Sequence, residues 1–146
     1  MEQDYSQQDV LFNDDARKNI FKGLATVYKA VSSTMGPKGK NVIIEKRGTL
    51  PLVTKDGVTV ARSVKLKNRV NALGAELIKE AASQTNEEAG DGTTTATVLT
   101  YELCFQALKL LSAGYSQAEL REGIEESVNS VINNLKDTSV AVRNND

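Results

Sequence analysis

The sequence predicts a mainly α-helical fold with one β-hairpin, for three reasons. Three segments place apolar residues three or four positions apart, which is the spacing of one helix face, and a fourth is apolar nearly all round, as a central helix is. One segment, NVIIEKRGTLPLV, instead gathers β-branched residues ahead of a turn at residues 47–49. Hydrophobic residues make up 40% of the 146, so the chain can bury a core.

The first helix is predicted to begin at Asn13, a good capping residue, with Asp14 and Asp15 facing the positive end of the helix dipole. Its apolar stripe consists of Ala16, Ile20, Leu24, Val27, Val31 and Met35. The helix is expected to stop at Gly36-Pro37, because proline lacks the N–H that would continue the hydrogen-bond ladder.

The hairpin follows, with strands expected over residues 42–44 and 50–54. Pro51 confines the second strand to a sheet edge, since proline cannot donate to the ladder. Two strands alone are marginally stable in water, so the hairpin is predicted to need packing or the strands of a partner. Residues 55–57, Lys-Asp-Gly, are predicted to form a turn, and residues 58–61 either are extended or lead into the next helix.

Three more helices are predicted in the remainder of the chain. The second helix fades by Asn86 and contains Gly74, which costs about 1 kcal/mol relative to alanine and so marks close helix packing. Its apolar stripe consists of Leu66, Val70, Leu73, Leu77 and Ala81. The third helix, residues 94–113, is apolar nearly all round and is expected to be central and buried, ending at Gly114. The fourth opens with a capping box at residues 116–119. Its apolar face consists of Leu120, Ile124, Val128, Val131 and Leu135.

The residue types restrict the chemistry. Histidine is absent from the sequence, which excludes imidazole general bases and most zinc sites. Cys104 lies between Leu103 and Phe105 and is predicted to be a buried small hydrophobe rather than a reactive thiol. A net charge of −1 and the lack of an apolar run of about 20 residues argue against nucleic-acid and membrane partners.

The stretch AGDGTTTATV, residues 89–98, places one carboxylate between two glycines directly ahead of an apolar helix. A helix N-terminus has free N–H groups and a positive dipole end, and Thr93, Thr94 and Thr95 add hydroxyls, which together suit phosphate. Asp91 would repel phosphate unless a cation lay between them, and Mg²⁺ is bound by one or two carboxylates plus phosphate oxygens. The alternative is that Thr93 caps the helix and Asp91 makes a turn, since both motifs are common.

Two other segments contribute polar groups. Residues 34–39, Thr-Met-Gly-Pro-Lys-Gly, end the first helix, where free carbonyls suit a cation or a ribose hydroxyl. Taken alone, this segment is a helix stop. Residues 54–57, Thr-Lys-Asp-Gly, add a second carboxylate, Asp56, in what is otherwise a solvated turn.

Together these segments resemble the group I chaperonins, the bacterial and organellar ring-forming family. The similarity runs through TMGPKGKNVIIEK, VTKDGVTVAR and NEEAGDGTTTATVL, in this order and spacing, and extends over residues 9–135. The resemblance implies the N-terminal half of a multihelical equatorial ATP-binding domain, residues 1–137, followed by a hinge at residues 138–146 toward an intermediate domain. Family members continue through further domains, so we expect this chain to be a segment of a longer protein rather than a natural short paralogue.

The resemblance also implies roles for individual residues. Nucleotide contacts are expected from Thr34, Met35, Gly36, Pro37, Lys55, Asp91, Gly92, Thr93, Thr94 and Thr95. Asp91 is expected to ligate Mg²⁺, and Thr34, Lys55 and Thr94 are expected to lie at a K⁺ ion. Asp56 is expected to help position the attacking water. The principal catalytic aspartate of the family lies outside these 146 residues, which alone are expected to be inactive.

The function implied by the resemblance is that of an ATP-dependent molecular chaperone, in which MgATP hydrolysis in a ring drives encapsulation and folding of non-native polypeptides. The ring is expected to be homo-oligomeric and heptameric, as one or two rings, with a co-chaperonin as a further partner. The expected location is the cytoplasm of a bacterium or a phage-infected cell, or an organellar matrix after processing. The alternative is a truncated chaperonin-like module that binds nucleotide or partner subunits without ATPase activity, and an unrelated helical Mg-nucleotide binder is a third, remote interpretation.

Overall fold

The computed structural model of the chain describes residues 13–46 and 48–141. The elements, in order, are α1 (Asn13–Ser32), β1 (Val42–Ile44), β2 (Leu52–Thr54), α2 (Gly57–Ser63), α3 (Arg69–Ala89), α4 (Thr93–Ser112) and α5 (Gln117–Thr138). The described chain divides into two compact units between Phe105 and Gln106, so α4 contributes to both. Within the described ranges, no helix combines the length and apolarity that a membrane span requires.

The first unit is organised around the crossing of α1 and α3, its most extensive helix contact. Two glycines allow the helices to touch backbone to backbone. A Cβ on Gly23 would lie 1.9 Å from the carbonyl oxygen of Asn71, and a Cβ on Gly74 would lie 1.9 Å from that of Ile20. The close packing predicted at Gly74 is therefore confirmed. Around the crossing, the buried core consists of Leu24, Val27, Val31, Val60, Ala61, Ala75 and Ile78.

The buried face of α3 differs from the predicted stripe. Leu73 and Leu77 are 61% and 60% exposed, whereas the buried positions of this helix are Gly74, Ala75, Ile78 and Ala82. The stripe prediction was wrong because apolar periodicity gives most weight to large side chains. Close approach to α1 instead selects small residues, which let two helix backbones meet. The helix also continues to Ala89 instead of ending near Asn86.

The segment after the hairpin resolves one alternative that the sequence left open. Residues 58–61 are helical, as part of the short α2, and Val60 and Ala61 are buried in the core. Before α2, the hairpin pairs β1 and β2 in antiparallel register, with Ile43 opposite Val53. These two side chains point away from the core and are 71% and 56% exposed. The predicted hairpin is confirmed in both strands, while Arg47 of its turn lies outside the described residues.

Helix α4 was predicted to be central and buried, and this prediction was wrong for the described chain. Its buried residues are Thr93 and Thr97, whereas Leu99, Leu103 and Leu110 are 57%, 48% and 40% exposed. An apolar helix is buried only where other elements cover it, and the described residues cover part of its circumference. On the covered side, aromatic rings join α4 to α1, with the Tyr101 ring 3.9 Å from that of Tyr28, centroid to centroid.

The second unit shows two helix-end motifs that the sequence encodes locally. Gly114 has φ 101°, and the N–H groups of Gly114 and Tyr115 donate to the carbonyls of Leu111 and Leu110, which ends α4 in a Schellman motif. Ser116 and Glu119 form the predicted capping box of α5, each side chain accepting a hydrogen bond from the backbone N–H of the other. The predicted apolar face of α5 contains no buried residue.

Candidate functional site

The predicted phosphate motif forms an exposed corner between α3 and α4. Gly90 and Gly92 both adopt left-handed backbone, with φ 71° and 78°, so Asp91 is held between two positions that other residues rarely adopt. The Asp91 side chain is exposed, and its Oδ1 accepts a hydrogen bond of 2.6 Å from the Gly92 N–H. The glycines therefore turn the chain sharply and present one carboxylate to solvent at the start of α4.

The start of α4 leaves backbone donors free for a ligand. The Gly92 carbonyl accepts the first helical hydrogen bond, from the Ala96 N–H at 2.8 Å, so Gly92 occupies the capping position. The alternative in which Thr93 caps this helix is therefore wrong, because Thr93 is already the first helical residue. The N–H groups of Thr93, Thr94 and Thr95 lie in the first turn, where no carbonyl of the helix can reach them.

Asp56, predicted to lie in a turn, is the N-cap of α2. Its Oδ2 accepts hydrogen bonds from the Thr59 N–H, at 2.8 Å, and from the Thr59 hydroxyl. The Asp56 N–H in turn donates to the Thr54 hydroxyl at 3.0 Å. The turn prediction was wrong because Asp-Gly is equally frequent in turns, and only the helical path of the residues after Gly57 makes Asp56 a cap.

The Asp56 carboxylate is held in its ionised form. The hydrogen bonds from the Thr59 hydroxyl and N–H lower its pKa most; burial opposes them, and the Val58 N–H and the positive charge of Arg62 lower the pKa by smaller amounts. A carboxylate that stays ionised accepts hydrogen bonds and cannot donate them. Asp56 is therefore suited to hold a water or a cation at neutral pH.

Gly57 brings the two predicted acidic segments together. The first residue of α2 packs directly against the first turn of α4, because a Cβ on Gly57 would lie 2.3 Å from Thr94 Oγ1 and 3.2 Å from Thr93 Oγ1. Asp56 immediately precedes this contact, and Asp91 lies two residues before Thr93. The structure thus joins residues that are more than 30 positions apart in the sequence into one surface region.

The third predicted segment, residues 34–39, forms a compact loop after α1. Thr34 is buried, and its hydroxyl donates to the Val31 carbonyl at 2.7 Å. The Thr34 carbonyl lies against Gly39, where a Cβ would be 2.1 Å from its oxygen. Met35 and Pro37 are exposed. The contacts described for Thr34 stay within residues 31–39, and Lys55 is an exposed side chain beside Asp56.

The acidic side chains of this region suit Mg²⁺ only when a bound phosphate supplies further ligands. Within the described residues, no group of three or more Asp, Glu, Cys or His side chains could hold a metal ion. Asp91 offers one exposed carboxylate next to free helix donors, which matches the way Mg²⁺ is held by one or two carboxylates together with substrate phosphates. The arrangement therefore suits a metal that arrives with a phosphate ligand and does not suit a permanent metal centre.

A separate concavity lies elsewhere in the first unit and contains none of the predicted site residues. It is a groove of about 640 Å³ with Ile20, Leu73 and Leu77 as its apolar lining. Lys79 at its edge donates to the Val64 carbonyl at 2.7 Å and pairs with Glu76 at 2.8 Å. Cys104, half-buried, is also away from the motif, and burial raises the pKa of its thiol, as expected for an inert cysteine.

Comparison with known proteins decides the family. Residues 27–146 match the model of the TCP-1/cpn60 chaperonin family. The chain belongs to this family. Two crystal forms of the chaperonin gp146 from the bacteriophage EL 2 (Pseudomonas aeruginosa), both in the presence of ATP-BeFx, are 39% identical to it. The superposition covers 94% of this chain, with TM-scores of 0.79 for crystal form II and 0.77 for crystal form I.

These comparisons confirm the predicted fold class, a multihelical part of a chaperonin equatorial domain with one β-hairpin. Chaperonins of this family form ring oligomers. The chain spans about a quarter of the chaperonin gp146 chains, at 24% of their length. The domain limits at residues 137 and 138 stay a prediction, and α5 ends at Thr138.

Two residues at this candidate site were not singled out from the sequence. Thr59 orients Asp56 through two hydrogen bonds, and Gly57 provides the contact with Thr94. The backbone N–H of almost any residue can serve an Asp cap three positions before it, so Thr59 was recognisable only once Asp56 was known to start a helix. The Gly57 contact is non-local, and no sequence pattern predicts it.

Proposed function

We propose that this chain forms part of an ATP-driven chaperonin, in which Asp91 and the start of α4 bind magnesium and nucleotide. The observation that carries the proposal is the exposed Asp91 carboxylate, held between two left-handed glycines beside the free donors of a helix start. The chaperonin gp146, which is 39% identical, was crystallised in the presence of ATP-BeFx, which supports a nucleotide ligand for this surface.

Different residues of this chain are proposed to bind the phosphates, the metal ions and the rest of the nucleotide. Thr93, Thr94 and Thr95 offer backbone N–H groups and hydroxyls to phosphate oxygens, Gly92 lets the ligand approach the backbone closely, and the α4 dipole favours the negative charge. Asp91 would hold Mg²⁺, which, when bound, neutralises the charge that develops on the phosphates. The residues Thr34, Met35, Gly36, Pro37 and Lys55 are proposed to complete the nucleotide contacts. Thr34, Lys55 and Thr94 are proposed to hold a K⁺ ion.

Asp56 is proposed to hold the attacking water. Hydrogen bonds from Thr59 fix its carboxylate and keep it ionised. An ionised carboxylate can accept a hydrogen bond from a water. It lies next to the contact between α2 and α4, on the same surface region as Asp91. Asp56 therefore acts on hydrolysis, whereas Asp91 acts on binding.

The hairpin is proposed to join neighbouring subunits of the ring. Its outer face exposes Ile43 and Val53 directly opposite one another, and a two-stranded sheet gains stability when further strands extend it. The proposed assembly is a heptameric ring, single or double, that encloses non-native polypeptide and works with a co-chaperonin. The proposed location is the cytoplasm of a bacterium or a phage-infected cell.

The experiment compares the complete protein that contains this chain with its Asp91→Ala variant. Purified protein is mixed with a chemically denatured test enzyme, and phosphate release and recovered enzyme activity are measured with ATP, with and without Mg²⁺. We expect Mg²⁺-dependent hydrolysis and refolding in the wild type, and a loss of hydrolysis of about a hundredfold or more in Asp91→Ala.

The matched control is Asp137→Ala, which removes an exposed aspartate from α5. Its hydrolysis and refolding are expected to equal those of the wild type. Nucleotide binding without hydrolysis in the wild type would favour the chaperonin-like module without ATPase activity. Undiminished hydrolysis in Asp91→Ala would overturn the assignment of this residue.

A further inference from the structure

The backbone conformation at position 57 does not require a glycine. Among the described residues, the glycines with positive φ are Gly36, Gly48, Gly90, Gly92 and Gly114, and Gly57 is not one of them. It is the first residue of α2, in helical backbone where alanine is ordinarily the more stable choice. The missing side chain therefore calls for an explanation from the surroundings.

The explanation lies on the facing helix. A Cβ on Gly57 would be 2.3 Å from Thr94 Oγ1, far inside van der Waals contact, with Thr93 Oγ1 next at 3.2 Å and the Thr94 backbone nitrogen at 3.4 Å. The Thr94 hydroxyl therefore fills the space that the missing Cβ leaves. This contact differs from those of Gly23 and Gly74, where the nearest atoms are backbone carbonyl oxygens that cannot rotate away.

We propose that Gly57 is a positioning residue, which keeps open the space that holds the Thr94 hydroxyl in its orientation at the start of α4. The inference rests on the proposed function, in which this hydroxyl contacts the nucleotide and its K⁺ ion. It adds that α2 governs how α4 presents that hydroxyl. Asp56 caps the same helix, so α2 positions both the Thr94 hydroxyl, proposed for binding, and the Asp56 carboxylate, proposed for hydrolysis.

An alanine at this position would act through a side-chain rotation. The threonine side chain has three staggered χ1 positions. In one of them, the Cβ hydrogen of Thr94 faces the new methyl group and the hydroxyl leaves its wild-type orientation. The backbone of α4 can then stay in place, and α2 gains a better helix former. Gly57→Ala is therefore expected to weaken nucleotide binding in the same way as Thr94→Ala, while the protein stays folded.

The test is a double-mutant cycle on nucleotide affinity in the complete protein. Wild type, Gly57→Ala, Thr94→Ala and the double variant are titrated with ATP in the presence of Mg²⁺ and K⁺. We expect each single variant to weaken binding by about tenfold or more, which corresponds to one lost hydrogen bond to a charged group. The double variant is expected to bind as Thr94→Ala does, because the alanine at 57 acts only through that hydroxyl.

A melting curve for each variant separates positioning from a general loss of structure. Gly123→Ala is the matched control, because a Cβ on Gly123 meets nothing within 4 Å, and it is expected to bind ATP as the wild type does. Wild-type affinity in Gly57→Ala or in Thr94→Ala would overturn the inference. So would a further loss when Gly57→Ala is added to Thr94→Ala, or a lowered melting temperature in Gly57→Ala.

Asp91→Ala, measured beside these variants, distinguishes the two proposals. If Asp91→Ala loses ATP binding and Gly57→Ala does not, the inference fails and the proposed function stands. If Asp91→Ala binds ATP as the wild type does, the proposed function fails, and the inference fails with it.

Discussion

Replacing Gly74 by alanine tests the crossing of α1 and α3, which supports both ends of the candidate site. The C-terminal end of α1 leads into Thr34, and the C-terminal end of α3 leads into Gly90 and Asp91. At the crossing, a Cβ on Gly74 would lie 1.9 Å from the carbonyl oxygen of Ile20. The helices must therefore separate before an alanine can be accommodated.

The expected cost follows from the distances. The new Cβ would also lie 2.7 Å from the carbonyl carbon and 3.0 Å from the Cα of Ile20, all backbone atoms that cannot rotate away. Restoring ordinary contact needs a separation of about 1.5 Å, and overpacking of this kind costs about 1–3 kcal/mol or more. Alanine returns up to about 1 kcal/mol through its higher helix propensity. We expect a net loss of about 2 kcal/mol in the local opening free energy.

Hydrogen–deuterium exchange of the complete protein measures this loss directly. Amides in the centres of α1 and α3 should exchange roughly thirtyfold faster in Gly74→Ala, the factor that corresponds to about 2 kcal/mol. Gly123→Ala is the control, because a Cβ at this position meets nothing within 4 Å. In this control, the amides of α5 should exchange at the wild-type rate or more slowly. Unchanged exchange in α1 and α3 of Gly74→Ala would refute the close-crossing geometry.

Two further predictions concern Asp56, and a third concerns the hairpin. Asp56→Ala should lower single-turnover hydrolysis while ATP still binds, and lost binding with full hydrolysis per bound nucleotide would assign Asp56 another role. Because its folded pKa lies below the ordinary 3.8, the Asp56 cap contributes its full stability, about 1 kcal/mol, above that pH and loses it as the pH falls through the lowered value. Urea unfolding between pH 7 and pH 2 should show this dependence in the wild type, and Asp56→Asn, a cap that does not titrate, should lack it. Ile43→Lys combined with Val53→Lys should shift rings toward monomers in sedimentation, with exposed Glu45→Lys as the control. Rings that survive the double change would indicate that the hairpin packs within its own subunit.

Features that depend on neighbouring residues in the chain were predictable. The capping box at Ser116 and Glu119 and the end of α4 at Gly114 follow from side chains and backbone within a few positions. The hairpin strands and the close packing at Gly74 were also predicted, because β-branched runs and a glycine inside an apolar helix each have few explanations.

Most features that depend on distant residues were not predictable, and the close packing of Gly74 against α1 is the exception. Leu73 and Leu77 gave α3 its apparent buried stripe, but the helix contacts α1 through Gly74 and Ala75 because small residues permit closer approach. The cap at Asp56 is a local feature, but Asp-Gly is equally frequent in turns, so the sequence did not distinguish a turn from a cap. The contact between Gly57 and Thr94 joins segments whose proximity only the packing determines.

In the candidate site, too, the local features were predictable from the sequence and the contact between distant segments was not. The order of residue types at residues 90–95 indicated a carboxylate beside a helix start; the structure begins α4 there with Gly92 as its cap, and phosphate binding stays a prediction. The conformations of Gly90 and Gly92 explain why both positions are glycine. The proximity of Asp56 to this helix start came from the resemblance alone, because two segments 35 positions apart carry no local sign of contact.

The most direct test of the central claim is calorimetric titration of the complete protein with ATP, in Mg²⁺ and again in EDTA, for the wild type and for Asp91→Asn. Asparagine keeps the size and shape of the side chain but removes its charge. We expect the wild type to bind ATP at least about tenfold more tightly in Mg²⁺, and Asp91→Asn to lose this dependence. Equal Mg²⁺ dependence in the two proteins would contradict the claim that Asp91 holds the metal at the start of α4.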